Sequence, residues 1–198
     1  MSVSEFYDKR ADDYLKRMNS GFLKRIRQRE LASVIKNLNP VKDDKILDAG
    51  AGAGYYAKFI AENYNPDILC VDISPRMVDN LRSLGLNAIV GDIEKLNLGD
   101  QRFNKILCLG VLEFCKDPSL ALRNLTRYLH KEGFILILVP PYSILGIALF
   151  FYHLIQRSKI RLFSNKKIRE ILYVNNLHIE TMERPYPISL LIKARRLR

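Results

Sequence analysis

The stretch Lys45-Ile46-Leu47-Asp48-Ala49-Gly50-Ala51-Gly52-Ala53-Gly54-Tyr55-Tyr56-Ala57 decides how the chain is read. An apolar run ends at Asp48, three glycines then alternate with alanines, and a helix-compatible segment follows over 55–64. A buried parallel strand that turns through glycines into a helix sets backbone N–H groups and a helix N-terminus around a ligand. Glycine serves where the chain turns tightly and where a ligand must touch main chain. Asp48 falls at the carboxyl end of the strand, where open α/β sheets bind their ligands.

Strand and helix patterns alternate onward from this loop. Short apolar strands are expected over 46–49, 68–71, 88–90, 103–109 and 134–139, the last closed by Pro140-Pro141. Helices are expected over 55–64, 75–84, with Ser74 as N-cap, and 119–130. This alternation predicts an α/β fold, a doubly wound, mostly parallel sheet with helices on both faces. A helix over 165–175 and strands over 177–182 and 188–194, around Arg184-Pro185-Tyr186-Pro187, add an antiparallel hairpin and bring the sheet to seven strands. Upstream, apolar residues at near-helical spacing over 2–18 and a helix over 22–38 form an N-terminal helical cap across 1–40. The whole chain, 1–198, reads as one domain.

Composition sets bounds on function. Of 198 residues, 48% are hydrophobic and 27% charged, ordinary for a globular protein. Cys70, Cys108 and Cys115 lack metal-ligand spacing and read as buried free thiols of a reducing compartment. The N-terminus lacks a basic-then-apolar leader pattern, so the chain is expected to be cytosolic. The formal net charge of +11 is uneven: +4 over 1–45, −1 over 46–156 and +8 over 157–198. The core is neutral and the excess sits at the ends, which suits an anionic partner or simply a solvated basic surface.

One segment breaks the pattern. Ser143-Ile-Leu-Gly-Ile-Ala-Leu-Phe-Phe-Tyr-His-Leu-Ile155 is apolar around nearly the whole helical circumference, where a surface helix shows a polar face. Some twelve residues are too few to span a bilayer. Such a helix must be covered by the domain's own loops, a partner or a membrane interface. Three cations follow in 156–162, so an insert over 143–163 is expected to act as an active-site lid or as a peripheral contact with anionic membrane through 144–162.

The residues after the glycine loop sharpen the ligand. Gly52-Ala53-Gly54-Tyr55-Tyr56-Ala57 alone satisfies a dinucleotide fingerprint. Asp72 ends the second strand, about 20 residues on, where a carboxylate can take ribose hydroxyls. Asp92, in Val90-Gly91-Asp92-Ile93, can accept from an exocyclic amine. A carboxylate thus follows each of three consecutive strands. Asp48 would repel a pyrophosphate but suits a cation, so the ligand implied is a nucleoside with a positively charged tail. S-adenosylmethionine fits.

In these motifs the chain resembles the class I S-adenosylmethionine-dependent methyltransferases. Asp48-Ala-Gly50-Ala-Gly52-Ala-Gly54 matches the family's first motif, which holds the methionine moiety. Val71-Asp72-Ile73-Ser74 matches the second, which implies Asp72 on the ribose and Ile73 and Met77 near adenine. Gly91-Asp92-Ile93 matches the adenine position, Leu109-Gly110-Val111-Leu112-Glu113 the strand end behind the methyl donor, and Leu129–Gly133 with 134–140 the turn and fifth strand. The terminal hairpin also belongs to that fold. Within it, the chain is most similar to the small-molecule branch that includes quinone-biosynthesis methyltransferases. Phe6-Tyr7-Asp8-Lys9-Arg10-Ala11-Asp12-Asp13-Tyr14 looks like that branch's N-terminal helix, which implies Tyr7 and Tyr14 for cofactor or substrate contact and Arg10 or Arg17 for the cofactor carboxylate.

Related enzymes often carry Leu-Glu-His after the fourth strand, whereas this chain has Leu112-Glu113-Phe114. Methyl transfer from a sulfonium is an in-line displacement that positioning and desolvation can drive. Proximity catalysis is therefore expected, with Glu113 as base or substrate orienter and Tyr142 or His153 as further groups approaching the substrate. No metal is expected. The acceptor is expected to be a hydrophobic or amphiphilic small molecule, and the protein a monomer or homodimer. An RNA substrate rests only on charge, since Val139-Pro140-Pro141-Tyr142 puts Val where base-amine methyltransferases need Asn or Asp. A cofactor-binding protein without catalysis is the third reading, allowed by the missing histidine.

Overall fold

The computed structural model describes residues 2–11, 21–155 and 160–197. Helix α1 (Val3–Asp8) is closed by a capping box. The Ser2 hydroxyl accepts from Glu5 N, and the Glu5 carboxylate accepts from Ser2 N. After α2 (Gly21–Leu38) come β1 (Lys45–Ala49), α3 (Tyr55–Tyr64), β2 (Asp67–Asp72), α4 (Pro75–Ser83), β3 (Asn87–Val90) and β4 (Phe103–Leu109). A 3-10 turn (Leu112–Phe114) leads to α5 (Pro118–Arg127), β5 (Leu129–Val139), α6 (Ile144–Ile155), α7 (Asn165–Val174), β6 (Leu177–Tyr186) and β7 (Ser189–Arg196). The described strands make one seven-stranded sheet in the order β3-β2-β1-β4-β5-β7-β6. β1 to β5 pair in parallel, and β7 runs antiparallel to both neighbours. This is the doubly wound sheet with a terminal antiparallel hairpin that the sequence predicts.

The order reverses between β1 and β4, and a crevice opens there at the carboxyl ends of the strands. The strands are continuously apolar because both faces of the sheet are covered. On β5, Ile135, Ile137 and Val139 join one core cluster, while Phe134, Leu136 and Leu138 join the cluster on the opposite face. Ile106 and Leu107 of β4 divide in the same way. Beneath the sheet's other end, Lys105 pairs with Asp44, and both side chains are nearly buried.

The larger boundary differences each have a local reason. The helix expected over 119–130 runs Pro118–Arg127, N-capped by Asp117, whose carboxylate accepts from Ser119 N and Leu120 N. It stops at Tyr128 because that hydroxyl is held by Leu96 O and Leu98 N, and the next residue, Leu129, already pairs with Phe103. Pairing resumes at Phe134, beyond Gly133, where a Cβ would sit 2.7 Å from Asn104 O. The hairpin strands run longer than expected and turn between Tyr186 and Ser189; of two register shifts, one falls between Ile179 and Thr181 and the other at Arg184-Pro185, where proline cannot donate to the ladder.

Helix α6 keeps one whole face open to solvent, uncovered by the described residues. Gly146 anchors its first turn, since a Cβ there would lie 2.2 Å from Pro141 O.

Candidate functional site

The glycine loop takes its shape from its own backbone. Gly50 and Gly52 sit at φ of 81° and 54°, in the left-handed region that favours glycine. Gly50 N and Ala51 N both donate to Val71 O, at 2.8 and 3.0 Å, which ties the loop to the end of β2. A Cβ on Gly50 would come within 2.5 Å of the Val111 side chain, so the loop and the segment after β4 touch through a residue with no side chain. Gly52 N donates to Asp72 Oδ2 at 2.7 Å, and Ser74 N donates to Asp72 Oδ1 at 2.9 Å. The second carboxylate is therefore fixed in place by backbone.

A cavity of about 560 Å³ opens over these strand ends. It brings together Asp48, Gly50 and Gly52 from the first loop, Asp72, Ile73 and Met77 from the second, Asp92 and Ile93 from the third, Gly110 after β4 and Tyr7 of α1. Several expected site residues lie elsewhere. Gly54 begins α3 with φ of 80°, and its missing Cβ makes room for Leu81 of α4, a packing role. Tyr142 is 67% exposed and does not line the cavity, because its amide is committed to Phe163 O just past β5. Glu113 lies on the 3-10 turn beneath Gly110 and is also absent from the lining. Tyr14 and Arg17 lie outside the described residues. Arg10 is not a lining residue; its guanidinium lies 3.7 Å from the centre of the Phe6 ring. Among the described residues no cluster of His, Cys, Asp and Glu could hold a metal.

Burial dominates the electrostatics. Asp48 is 2% exposed, and no hydrogen bond to its carboxyl is recorded among the described residues. Burial, reinforced by the neighbouring Asp72, pushes its carboxyl up to about 7. Asp72 is raised chiefly by burial, against the opposing pull of amides from Ser74, Gly52 and Ile73. Glu113 is half-buried, its Oε2 is buried without a partner among the described residues, and burial raises its carboxyl to about 8. Among the described residues His153 Nδ1 is also buried without a partner, and burial lowers its pKa.

The roof comes from α1. Ser4 Oγ donates to Ile73 O at 3.1 Å, and Asp8 Oδ1 accepts from the Ser74 hydroxyl and from Arg76 N. These three bonds pin α1 onto the loop after Asp72 and the first turn of α4. Tyr7 then meets Phe114 edge-on, with ring centres 5.4 Å apart, and Phe114 meets His153 of α6 at 5.9 Å. Among the described residues, 143–155 and 160–163 meet the cavity's edge through His153 on Phe114 and add no lining residue.

Sequence reasoning missed Arg27, Tyr55 and Tyr56, which also line the cavity. Arg27 Nη1 donates to Glu30 Oε2 at 3.0 Å and to Tyr56 Oη at 3.4 Å, while Tyr56 donates to Glu30 and the Ser189 hydroxyl reaches Glu30 Oε1. The signal available was a buried acid, Glu30, three residues from an arginine on the apolar side of α2.

These residues fit S-adenosylmethionine. Two carboxylates within electrostatic reach, one of them buried, call for a cation between or beside them. A pyrophosphate there would be repelled. Asp48 would hold the ammonium or face the sulfonium, Arg27 would meet the carboxylate, Asp72 would take the ribose hydroxyls, and Ile73, Met77, Asp92 and Ile93 would border adenine.

Residues 47–137 match the model of a family described as a methyltransferase domain. A malonyl-[acyl-carrier protein] O-methyltransferase of Herminiimonas arsenicoxydans is 31% identical over 109 residues, 54% of this chain and 41% of the relative. A chloroplastic 2-methyl-6-phytyl-1,4-hydroquinone methyltransferase of Oryza sativa subsp. japonica is 27% identical over 112 residues, 54% of this chain and 34% of the relative. The matches thus span less than half the length of these relatives. The solved structure of magnesium protoporphyrin IX methyltransferase from Synechocystis PCC 6803 with bound SAH shares the fold, with a TM-score of 0.76 at 19% identity, over 98% of this chain and 97% of that one. The match to the methyltransferase domain runs from β1 to β5, the strands whose ends build the cavity, and the fold is the one seen in the solved methyltransferase.

Proposed function

We propose that the protein transfers the methyl group of S-adenosylmethionine to a small hydrophobic or amphiphilic acceptor of quinol or lipid-precursor type. The reading rests on one observation. A single cavity carries both the carboxylate clamp and an apolar wall of Leu109, Val111, Phe114 and Leu120. Its volume lies in the range of small-molecule sites, and lining of this kind suits an apolar ligand held by a few fixed polar groups. Two relatives named for a malonyl-[acyl-carrier protein] and a phytyl hydroquinone support the acceptor class.

When bound, the cofactor supplies an activated methyl on a sulfonium. The chain's own residues position and desolvate. Asp72, held by Gly52 N and Ser74 N, needs little rearrangement to accept two hydroxyls. Asp48 supplies negative charge from a nearly buried position at the cavity wall, where it acts on a nearby cation. Tyr7 and Phe114 close the edge against water. Glu113 stands beneath Gly110, largely protonated at neutral pH, and supports the floor without removing a proton. An acceptor that arrives as a phenolate or carboxylate needs no base.

The test is transfer of label from methyl-tritiated S-adenosylmethionine to a ladder of hydroquinones and carboxylic acids with lengthening isoprenoid or alkyl tails. Label should enter the organic phase, with KM falling as the tail grows. Label transferred only to RNA, or equal rates on tailless acceptors, would overturn the acceptor class.

A further inference from the structure

Helix α6 presents a face that the cavity does not use. Its twelve residues hold no Asp, Glu, Lys or Arg. Gly146 faces inward against Pro141 O, and His153 packs on Phe114. Ile144, Leu145, Ala148, Phe151, Tyr152 and Ile155 are exposed, and their spacing forms one stripe along the helix. A surface helix normally places charge there; here Ile144 is 87%, Ile155 78% and Phe151 55% exposed. Water gains nothing from contact with such a stripe, and contiguous exposed apolar surface marks a site of interaction.

Exposed cations bracket the stripe. At its start, Ser143 Oγ donates to Pro187 O in the β6–β7 turn. Exposed Arg184 stands three residues before Pro187, and Arg29 lies 5.7 Å from the ring of Tyr186. At its far end, beyond Phe114, Arg161 Nη2 donates to Lys116 O, and both residues are exposed. An apolar helical face with aromatic residues and flanking cations has the chemistry of an anionic lipid interface.

We propose that the outward face of α6 docks this protein on an anionic lipid surface, its apolar stripe entering the interface while Arg29, Arg184, Lys116 and Arg161 meet lipid phosphates. The helix lies in the interface and does not cross it. Twelve residues reach about 18 Å, against a hydrocarbon core of about 30 Å. No described helix is long and apolar enough to cross a membrane. A second copy of the chain is the poorer occupant. One stripe of this length offers a few hundred Å² per partner, whereas stable interfaces bury about 800 Å² on each side. The inference rests on the shape and charge of this face and is independent of methyl transfer.

Flotation of the full chain with phosphatidylglycerol–phosphatidylcholine vesicles, and with phosphatidylcholine alone, tests it. The protein should float with the anionic vesicles and bind about tenfold less to neutral ones. The double substitution Phe151→Glu, Ile155→Glu should cut anionic binding by about tenfold or more while S-adenosylmethionine affinity, read by calorimetry, stays unchanged. Arg184→Glu should weaken binding in a salt-dependent manner. Three outcomes overturn the proposal: no flotation of the native chain, equal flotation of the double variant, or a dimer that the double variant dissolves while neither form floats.

Discussion

Replacing Asp48 by Asn separates stability from binding at one atom. The carboxyl is raised from 3.8 to about 7, first by burial and then by Asp72. A raised carboxyl contributes stability that is full below its unfolded pKa and lost as pH climbs to its folded pKa. Between pH 3.8 and 7, then, the protein free of cofactor should steadily weaken, by a ceiling of about 4 kcal/mol. Water in the open cavity screens part of that cost and leaves about 2 kcal/mol. Asp48→Asn removes the titration, so at pH 8 the variant should melt roughly 4–8 °C above the native chain, and the two curves should converge toward pH 4. Cofactor binding should move the other way. Loss of the anion opposite a cation should raise the Kd for S-adenosylmethionine by about 10- to 100-fold at pH 8. The native chain's affinity should climb as pH rises through 7, and the variant's should stay flat. Scanning calorimetry and titration calorimetry from pH 5 to 8.5 read both effects. A variant that is no more stable at pH 8, yet binds as tightly as the native chain, would refute the reasoning.

Gly50→Ala places a Cβ at φ of 81° and 2.5 Å from Val111, which should cost roughly 3 kcal/mol in chemical denaturation and abolish cofactor binding. Asp8→Ala removes the acceptor that holds Ser74 Oγ and Arg76 N, so α1 should open more often; stopped-flow should show cofactor release about tenfold faster, with the melting temperature little changed. Glu113→Gln mimics the protonated form of a carboxyl raised to about 8, so turnover at pH 7 should remain within about threefold. The native chain's loss of stability between pH 7 and 8, beyond the Asp48 window, should disappear in that variant, and its persistence in melting curves would count against the assignment.

What the sequence revealed follows from the range of the physics involved. The Asp48–Gly54 loop was legible because backbone geometry is local: a glycine tolerates φ that other residues resist, and its spacing shows in the chain. Asp72 and Asp92 were legible because a parallel sheet puts each strand's carboxyl end on the same edge. The same spacing could not say that Gly54 faces Leu81 and not the ligand, which depends on how α3 packs on α4. Nor could it say that Tyr142 turns to solvent, since the direction of a side chain after a strand is set by its partner, here Phe163. Arg27 was missed because the groups that hold it, Tyr56 through its hydroxyl and Ser189 through Glu30, lie 29 and more residues away in sequence. The apolar helix was visible at once, but a pattern apolar all round cannot tell its covered face from its open one. Only Gly146 against Pro141 and His153 against Phe114 decide that.

The central claim is that the cavity holds a nucleoside with a cationic tail, and competitive titration of the native chain with S-adenosylmethionine and NAD at pH 8 tests it most directly. The account predicts one saturable site for S-adenosylmethionine, weakened by Asp48→Asn, and no measurable heat with NAD. Saturable NAD binding that strengthens in Asp48→Asn, with none for S-adenosylmethionine, would contradict it.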